Sequence, residues 1–187
     1  MEKTSPRYEV CLAGSGGQGM ILAGIILAEA AAIYDDLNAV QTQSYGPAAR
    51  GGASRTEIII STEVIHYPKI IKANLLLTMS QEACDKYFFD LRPDGQLVVD
   101  TEFVSRIPSS SAIALPITQI ARKVTGKAIT ANIVALGVIG GASGIVSKKA
   151  LIDAVTSRAP KDTVEINLKA LEAGWNSVVT AEPSSAT

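Results

Sequence analysis

A glycine-rich segment near the amino terminus constrains the fold of this chain most strongly. Residues 8–13 (YEVCLA) form a short apolar run that is typical of a strand. Residues 14–19 (GSGGQG) follow as a turn, and residues 20–32 (MILAGIILAEAAA) then have the composition of a buried helix. A strand that leads through a glycine turn into a helix is a phosphate-binding arrangement.

Each glycine of this G-x-G-x-x-G pattern has an expected role. Gly14 permits the tight turn, Gly16 lets a ligand approach the backbone, and Gly19 lets the helix pack closely on the strand. The first helical turn also directs unpaired N–H groups and the positive end of the helix dipole towards the ligand. The candidate binding residues of the turn are Gly14, Ser15, Gly16, Gly17, Gln18 and Gly19.

The same pattern occurs in dinucleotide-binding proteins, which carry Asp or Glu at the end of the second strand. Asp35 and Asp36 lie at about the required distance of 20 residues, but they precede the next predicted strand, residues 39–43. That strand ends in the uncharged sequence QSY. An NAD or FAD site is therefore disfavoured, and we interpret the two aspartates as solvated turn residues.

A second glycine-rich loop follows that strand. Residues 44–52 (SYGPAARGG) precede another predicted strand, residues 53–61, so a hairpin connection is one interpretation. The other is a loop that faces an anion or substrate, because Arg50 is followed by glycines that let the backbone come close. The candidate binding residues of this loop are Ser44, Tyr45, Gly46, Arg50, Gly51 and Gly52.

Alternation of strands and helices predicts an α/β three-layer sandwich with a mostly parallel sheet and a Rossmann-like first βα unit. Both glycine-rich loops follow strand ends, so both are expected at the carboxyl edge of the sheet, where ligands bind. Further strands are predicted at residues 74–79, 96–100 and 112–115, a turn at 92–95, and helices at 80–91, 117–124, 131–139, 148–158 and about 160–179.

Composition limits the remaining possibilities. We expect residues 1–180 to form a single domain and residues 181–187 a disordered tail. The chain is 47% hydrophobic and only 19% charged, which suggests surfaces that partners cover. A net charge of −1 does not favour nucleic acid. Glycines and polar residues interrupt the uncharged run 128–146, so we expect no membrane span, and a cytoplasmic protein.

The cysteines and the single histidine do not form a recognisable reactive site. Cys11 and Cys84 are far apart in the sequence and are interpreted as packed core thiols, and an iron–sulfur cluster would need clustered cysteines. His66 has no second histidine with which to form a metal site or a catalytic triad. We therefore assign no catalytic residue and no metal ligand to this chain.

With these motifs in view, the chain closely resembles the gamma subunit of the 2-oxoacid:ferredoxin oxidoreductases. The resemblance is carried by residues 14–19 (GSGGQG), 43–54 (QSYGPAARGGAS) and 132–137 (NIVALG), and it covers nearly the whole chain. It implies a multi-subunit enzyme that decarboxylates a 2-oxoacid on thiamine diphosphate and passes electrons through iron–sulfur clusters to ferredoxin. The other product is an acyl-CoA.

The resemblance further implies that this chain binds no cofactor alone and is active only in the complex. Thiamine diphosphate is expected on alpha and beta subunits, and the clusters on beta or delta-type chains. The expected partners are therefore the alpha and beta subunits, a delta-type chain as a further candidate, and ferredoxin through the complex. The glycine turn (residues 14–19) and the loop that contains Arg50 (residues 44–52, the arginine loop) suit contact with phosphate or acyl-CoA. The first expectation for the substrate is 2-oxoglutarate, and pyruvate or branched-chain oxoacids stay open.

Two other classes of function also stay open. One is a stand-alone nucleotide- or dinucleotide-binding enzyme, which a bound cofactor or activity of the isolated chain would reveal. The other is a purely structural subunit, in which the glycine turn binds no ligand and only allows tight packing. Titration with coenzyme A distinguishes the structural role from a binding role.

Overall fold

The computed structural model describes residues 6–44 and 53–179 of the 187-residue chain. Its strands are β1 (Arg7–Ser15), β2 (Asn38–Ser44), β3 (Ala53–Ser61), β4 (Ala73–Thr78), β5 (Leu91–Asp100) and β6 (Ile113–Leu115). Its α-helices are α1 (Met20–Glu29), α2 (Gln81–Tyr87), α3 (Ile117–Thr125), α4 (Ala131–Ser143), α5 (Lys148–Arg158) and α6 (Val164–Val179). The predicted tail, residues 181–187, lies outside the described residues.

The strands form one sheet in the order β2-β3-β1-β4-β5-β6. β1, β4, β5 and β6 pair in parallel, whereas β3 is antiparallel to both of its neighbours, β1 and β2. Among the described strands, β3 is thus the one that runs in the opposite direction. The predicted mostly parallel sheet is confirmed.

Helices cover both faces of this sheet, as expected for a three-layer sandwich. Side chains of a strand alternate between faces, so Val10 and Leu12 of β1 join the larger core cluster with α1, α3, α4, α5 and α6. Cys11 and Ala13 point to the other face, where they pack with α2. The predicted α/β sandwich with a Rossmann-like first unit is confirmed.

The glycines at the end of α4 were misjudged from the sequence. The helix was expected to end near residue 139 in a glycine turn, but α4 continues to Ser143 and contains Gly140 and Gly141. A Cβ at Gly137 would lie 2.1 Å from the Leu171 carbonyl oxygen of α6, and one at Gly174 would lie 1.9 Å from the Val134 oxygen. These glycines therefore allow close contact between two helices and do not end α4.

Two other local predictions were wrong. Residues 92–95 were expected to be a turn, but they lie within β5, whose pairing with β4 shifts in register between Ala73 and Leu75. Asp35 was interpreted as solvated, but its carboxylate accepts hydrogen bonds from Ser147 N at 2.6 Å and Ser147 Oγ at 2.7 Å, at the start of α5. Asp36 is exposed, as expected, and adopts a positive φ of 54°.

The apolar stretch of α4 does not have the dimensions of a membrane span. It contains 13 residues, ten of which are buried in the protein. Within residues 6–44 and 53–179, no helix combines the length and the apolar character that crossing a bilayer requires.

Candidate functional site at the carboxyl edge of the sheet

The glycine turn connects the end of β1 to the start of α1. Gly17 and Gly19 adopt left-handed backbone conformations with φ of 90° and 73°. Only glycine takes up such conformations without strain, so these two positions shape the turn. Gly14, to which this role was assigned from the sequence, lies within β1 and does not have a positive φ.

The space around the glycines distinguishes packing positions from an accessible one. A Cβ at Gly14 would lie 2.5 Å from Gln18 Oε1, and a Cβ at Gly19 would lie 2.6 Å from Asn132 Nδ2 of α4. A Cβ at Gly16, in contrast, would meet no atom within 4 Å. Gly16 therefore borders open space, as a role in ligand approach requires.

The role predicted for Gly19 was wrong. It approaches the Asn132 side chain of another helix, not a strand. Close contact between α1 and the sheet occurs instead at Gly24, where a Cβ would lie 2.6 Å from Thr56 Cγ2 of β3. Asn132 belongs to residues 132–137, one of the segments that carry the family resemblance. In the structure it is buried and lies against Gly19 of the glycine turn.

Gln18 holds the turn in place through its side chain. Its Oε1 accepts a hydrogen bond from Ser15 N at 2.7 Å, and its Nε2 donates to the Met79 carbonyl oxygen at 2.8 Å. The amide thereby connects the ends of β1 and β4. Gln18 was predicted as a binding residue, but these contacts give it a positioning role in the turn.

The amino termini of α1 and α2 lie at the same edge but differ in capping. α2 begins after β4, and the Ser80 hydroxyl accepts a hydrogen bond from Ala83 N at 3.3 Å. The first residue before α1 is Gly19, and no side chain of the described residues caps this helix. The first N–H groups of α1 are therefore left for another acceptor.

The second predicted loop follows β2 at this same edge. Ser15 pairs with Ala53 and Ser44 with Arg55, so β1 and β2 end side by side at the start of β3. β3 lies between them, which places the two strand ends about 10 Å apart. β2 and β3 are antiparallel neighbours, so β2 ends at the edge where β3 begins. Of the predicted binding residues, Tyr45, Gly46, Arg50, Gly51 and Gly52 lie outside the described residues.

A cavity of about 220 Å³ opens beside the glycine turn. Its lining includes residues that follow β1, β4 and β5, and the strand order reverses between β1 and β4. Such a reversal is the usual ligand position in sheets of this kind. The lining residues are Gly17, Gln18, Met79, Phe103, Thr118, Arg122, Ala128, Ile129 and Ala131.

Thr118 and Arg122 of this lining were not found from the sequence, and neither were the two acids that bond to them. Asp100 ends β5, is fully buried, and accepts hydrogen bonds from Thr118 N at 3.1 Å and Thr118 Oγ1 at 2.5 Å. Arg122 donates to both carboxylate oxygens of Glu102, at 2.7 and 2.8 Å. An acid directly after an apolar strand was the signal that could have pointed to this region.

The two cysteines and the histidine do not take part in this site. Both thiols are buried, as predicted, and burial raises the pKa of Cys11 to about 12. His66 is exposed in the segment between β3 and β4, which lies at the amino edge of the sheet. In residues 6–44 and 53–179, no three metal-ligating side chains come together.

Comparison with known sequences identifies similar proteins over nearly the whole chain. A family model described as pyruvate ferredoxin/flavodoxin oxidoreductase matches residues 9–177. The 2-oxoglutarate synthase subunit KorC of Methanocaldococcus jannaschii is 47% identical over 173 residues, which cover 90% of this chain and 92% of that protein.

Solved structures agree with these sequence matches. The gamma subunit of the keto/oxoacid ferredoxin oxidoreductase from Geobacter sulfurreducens superimposes with a TM-score of 0.88 at 46% identity, over 96% of this chain and 100% of that chain. The 2-oxoglutarate:ferredoxin oxidoreductase from Magnetococcus marinus gives a TM-score of 0.83 at 19% identity, over 96% of this chain and 32% of that chain. The second match demonstrates a shared fold.

Proposed function

We infer that this chain, which belongs to the pyruvate ferredoxin/flavodoxin oxidoreductase family, is the gamma subunit of a 2-oxoglutarate:ferredoxin oxidoreductase. The family predicted from the sequence motifs is confirmed by the match over residues 9–177. The observation that carries the subunit assignment is the full-length likeness to the Geobacter gamma chain. The choice of 2-oxoglutarate among oxoacids follows the name of the KorC relative.

The proposed complex oxidatively decarboxylates 2-oxoglutarate to an acyl-CoA and CO₂ and reduces ferredoxin, in the cytoplasm. Thiamine diphosphate and iron–sulfur clusters belong to the alpha, beta or delta-type partners in this proposal. The described part of this chain supports that division, because its two cysteines are buried core residues of the sheet and of α2.

Within the complex, we assign the glycine turn a role in holding coenzyme A. Coenzyme A carries phosphates, and the uncapped first turn of α1 supplies backbone N–H donors for an anion. Gly16 borders open space, so a phosphate can approach the backbone there. The turn itself is held by Gln18 and packed against Asn132, which pre-orients the donors.

The alternatives fit the geometry less well. A dinucleotide enzyme would place its second strand beside the first and end it in an acid, whereas here β3 separates β1 from β2 and Ser44 ends β2. A purely structural turn would be filled by its own neighbours at each glycine. Gly14 and Gly19 meet that condition, and Gly16 does not.

Purification of this chain from its own cells tests the subunit assignment. The expected result is a complex with alpha and beta subunits that converts 2-oxoglutarate and coenzyme A with reduction of ferredoxin. The chain alone should be colourless and inactive. Iron–sulfur or flavin absorbance, or turnover of a 2-oxoacid by the pure chain, would contradict the assignment.

Titration with coenzyme A tests the role of the turn. Binding should be measurable in the whole complex and should weaken when the turn is altered. Equal affinity of complexes with the natural and the altered turn would leave a structural role for this chain.

A further inference from the structure

In the part of the chain that the structure describes, β2 forms an outer edge of the sheet and pairs with β3 on one side only. A row of unpaired N–H and C=O groups can accept another strand, and proteins usually protect such an edge with charges, prolines or bulges. The seven residues of β2 (NAVQTQS) include no charge and no proline, and their register with β3 has no shift.

The face of α1 near this edge is apolar and incompletely covered. Ile21, Ile25 and Ala28 follow one another at the spacing of a single helical face and each retains exposed surface. They lie about a third of a turn from Leu22 and Ile26, which line a groove against α5. α1 also contacts β2. The open edge and the apolar stripe are therefore neighbouring parts of one surface.

We propose that a second copy of this chain pairs with β2 in antiparallel orientation, about a two-fold axis at Gln41. Two six-stranded sheets then form one continuous sheet, and the α1 stripes of the two copies cover each other. A two-fold arrangement of this kind is closed, because the same edge is used on both copies. It satisfies the open backbone groups of both β2 strands at once.

The distribution of charge favours a second copy in this orientation. β2 has no charge, so two copies pair without opposing like charges. Asp35 and Asp36 both precede the amino end of the strand. In the antiparallel pair the aspartates of the two copies lie beyond opposite ends of the paired strands, further apart than the roughly 24 Å length of seven strand residues. A parallel pair would bring the four carboxylates together.

The contacts across the axis are also compatible. Gln41 faces Gln41 of the second copy, and Val40 faces the second copy's Thr42. β-Branched side chains opposite each other stabilise antiparallel pairs. Gln41 is half-buried and donates from Nε2 to Thr56 Oγ1 at 2.6 Å, so its position on the strand is fixed.

Opposite charges introduced at Gln41 in two variants test this proposal. The full chain is studied by sedimentation equilibrium as wild type, as Gln41→Lys, as Gln41→Glu and as an equal mixture of the two variants. The wild type is expected to be a dimer. Each variant alone places like charges opposite each other and should raise the dimer Kd by roughly twofold to fivefold. The mixture places opposite charges there and should regain the dimer.

Controls make the result specific. Ala114→Lys introduces the same charge at the centre of β6, where Ala114 is exposed on the other edge of the sheet, and should leave the dimer unchanged. Recovery in the mixture itself shows that both variants are folded. The proposal is overturned by a monomeric wild type, by a Gln41→Lys dimer as tight as wild type, or by a mixture that stays monomeric. A monomer that binds the alpha or beta subunit through Gln41 would overturn it in favour of a partner's strand.

Discussion

The two edges of this sheet differ in how their polar groups are satisfied. At the amino edge, the Glu9 carboxylate is 5% exposed and accepts hydrogen bonds from Arg7 Nε at 2.6 Å, Ile71 N at 2.7 Å and Lys72 N at 3.0 Å. At the carboxyl edge, the glycine turn leaves the first N–H groups of α1 without a side-chain cap. The polar groups at the amino edge are thus paired with residues of the same edge, whereas the first N–H groups of α1 at the carboxyl edge have no side-chain partner among the described residues.

The difference separates structural polar groups from available ones. Buried polar groups that have all their partners stabilise a fold but cannot recognise a ligand without breaking those contacts. Donors that remain without a partner beside open space are the ones that can bind. We therefore expect changes at the amino edge to affect stability, and changes at the glycine turn and at Arg50 to affect the reaction.

The largest expected effect concerns stability at the amino edge. Glu9→Ala removes a charged acceptor that three donors share, so it should lower the free energy of unfolding by about 3 kcal/mol. Glu9→Gln retains an acceptor oxygen and should cost less. Chemical denaturation of the full chain measures both. An alanine variant within about 0.5 kcal/mol of wild type would show that this edge is not held by Glu9.

Arg50 was predicted from the sequence as an anion-binding residue. This residue lies outside the described residues, and its role stays a prediction. Arg50→Ala in the assembled complex should weaken the use of coenzyme A or oxoacid by about 1.5–3 kcal/mol, the usual contribution of a hydrogen bond to a charged group. Arg50→Lys should restore only part, since a point charge does not reproduce bidentate geometry.

The other possible role of Arg50 is an ion pair with a partner subunit. In that case Arg50→Ala would loosen assembly and leave the Michaelis constants of the remaining complexes unchanged. Steady-state kinetics and size-exclusion profiles of the same variant distinguish the two roles. If neither kinetics nor assembly changed, both interpretations would be wrong.

The sequence was sufficient for the parts of this comparison that depend on local patterns. The first βα unit and the starts of the helices near residues 80 and 148 follow from apolar runs and glycines, and the structure agrees. The role of a glycine was harder to predict. Gly140 looks like a helix breaker in the sequence, and only the position of the Trp175 ring shows that it serves packing.

The pairing at the amino edge could not be predicted either. In the sequence, Arg7 and Glu9 alternate with apolar residues, as exposed residues of a strand would. The partners of Glu9, Ile71 and Lys72, are more than 60 residues away in sequence. The same holds for Asp35, whose acceptor role depends on Ser147. Long-range contacts of this kind are a property of the assembled sheet and have no local signal.

Cys11 lies in β1 between the two edges of the sheet. The pH dependence of protein stability tests whether its thiol is shielded from water. Burial raises its pKa from 9.0 to about 12. The unfolded chain therefore loses the thiol proton before the native chain does, and stability falls as pH rises from about 9 to 12, by about 1.4 kcal/mol per pH unit from this group. Denaturation curves over that range should show the slope, and Cys11→Ala should reduce it. An equal slope in both proteins would contradict a shielded thiol.

A smaller effect is expected at the capped helix of the carboxyl edge. Ser80→Ala removes the side-chain acceptor for Ala83 N and should cost about 1 kcal/mol of stability. Because α2 is satisfied by its own cap, the kinetics of the assembled enzyme should not change. A rise in the KM for coenzyme A in this variant would mean that the open part of the edge extends beyond α1.

The most direct test of the account is the Gly16→Val variant in the assembled enzyme. A Cβ at this position would meet no atom within 4 Å, so the melting temperature should stay close to the wild-type value. The KM for coenzyme A should rise by a factor that corresponds to about 1.5–3 kcal/mol of binding free energy, as for Arg50→Ala. As a control, Thr62→Val at the exposed amino edge should change neither the melting temperature nor this KM. An unchanged KM for coenzyme A in a folded, assembled Gly16→Val enzyme would contradict the assignment of the glycine turn as the ligand-binding edge.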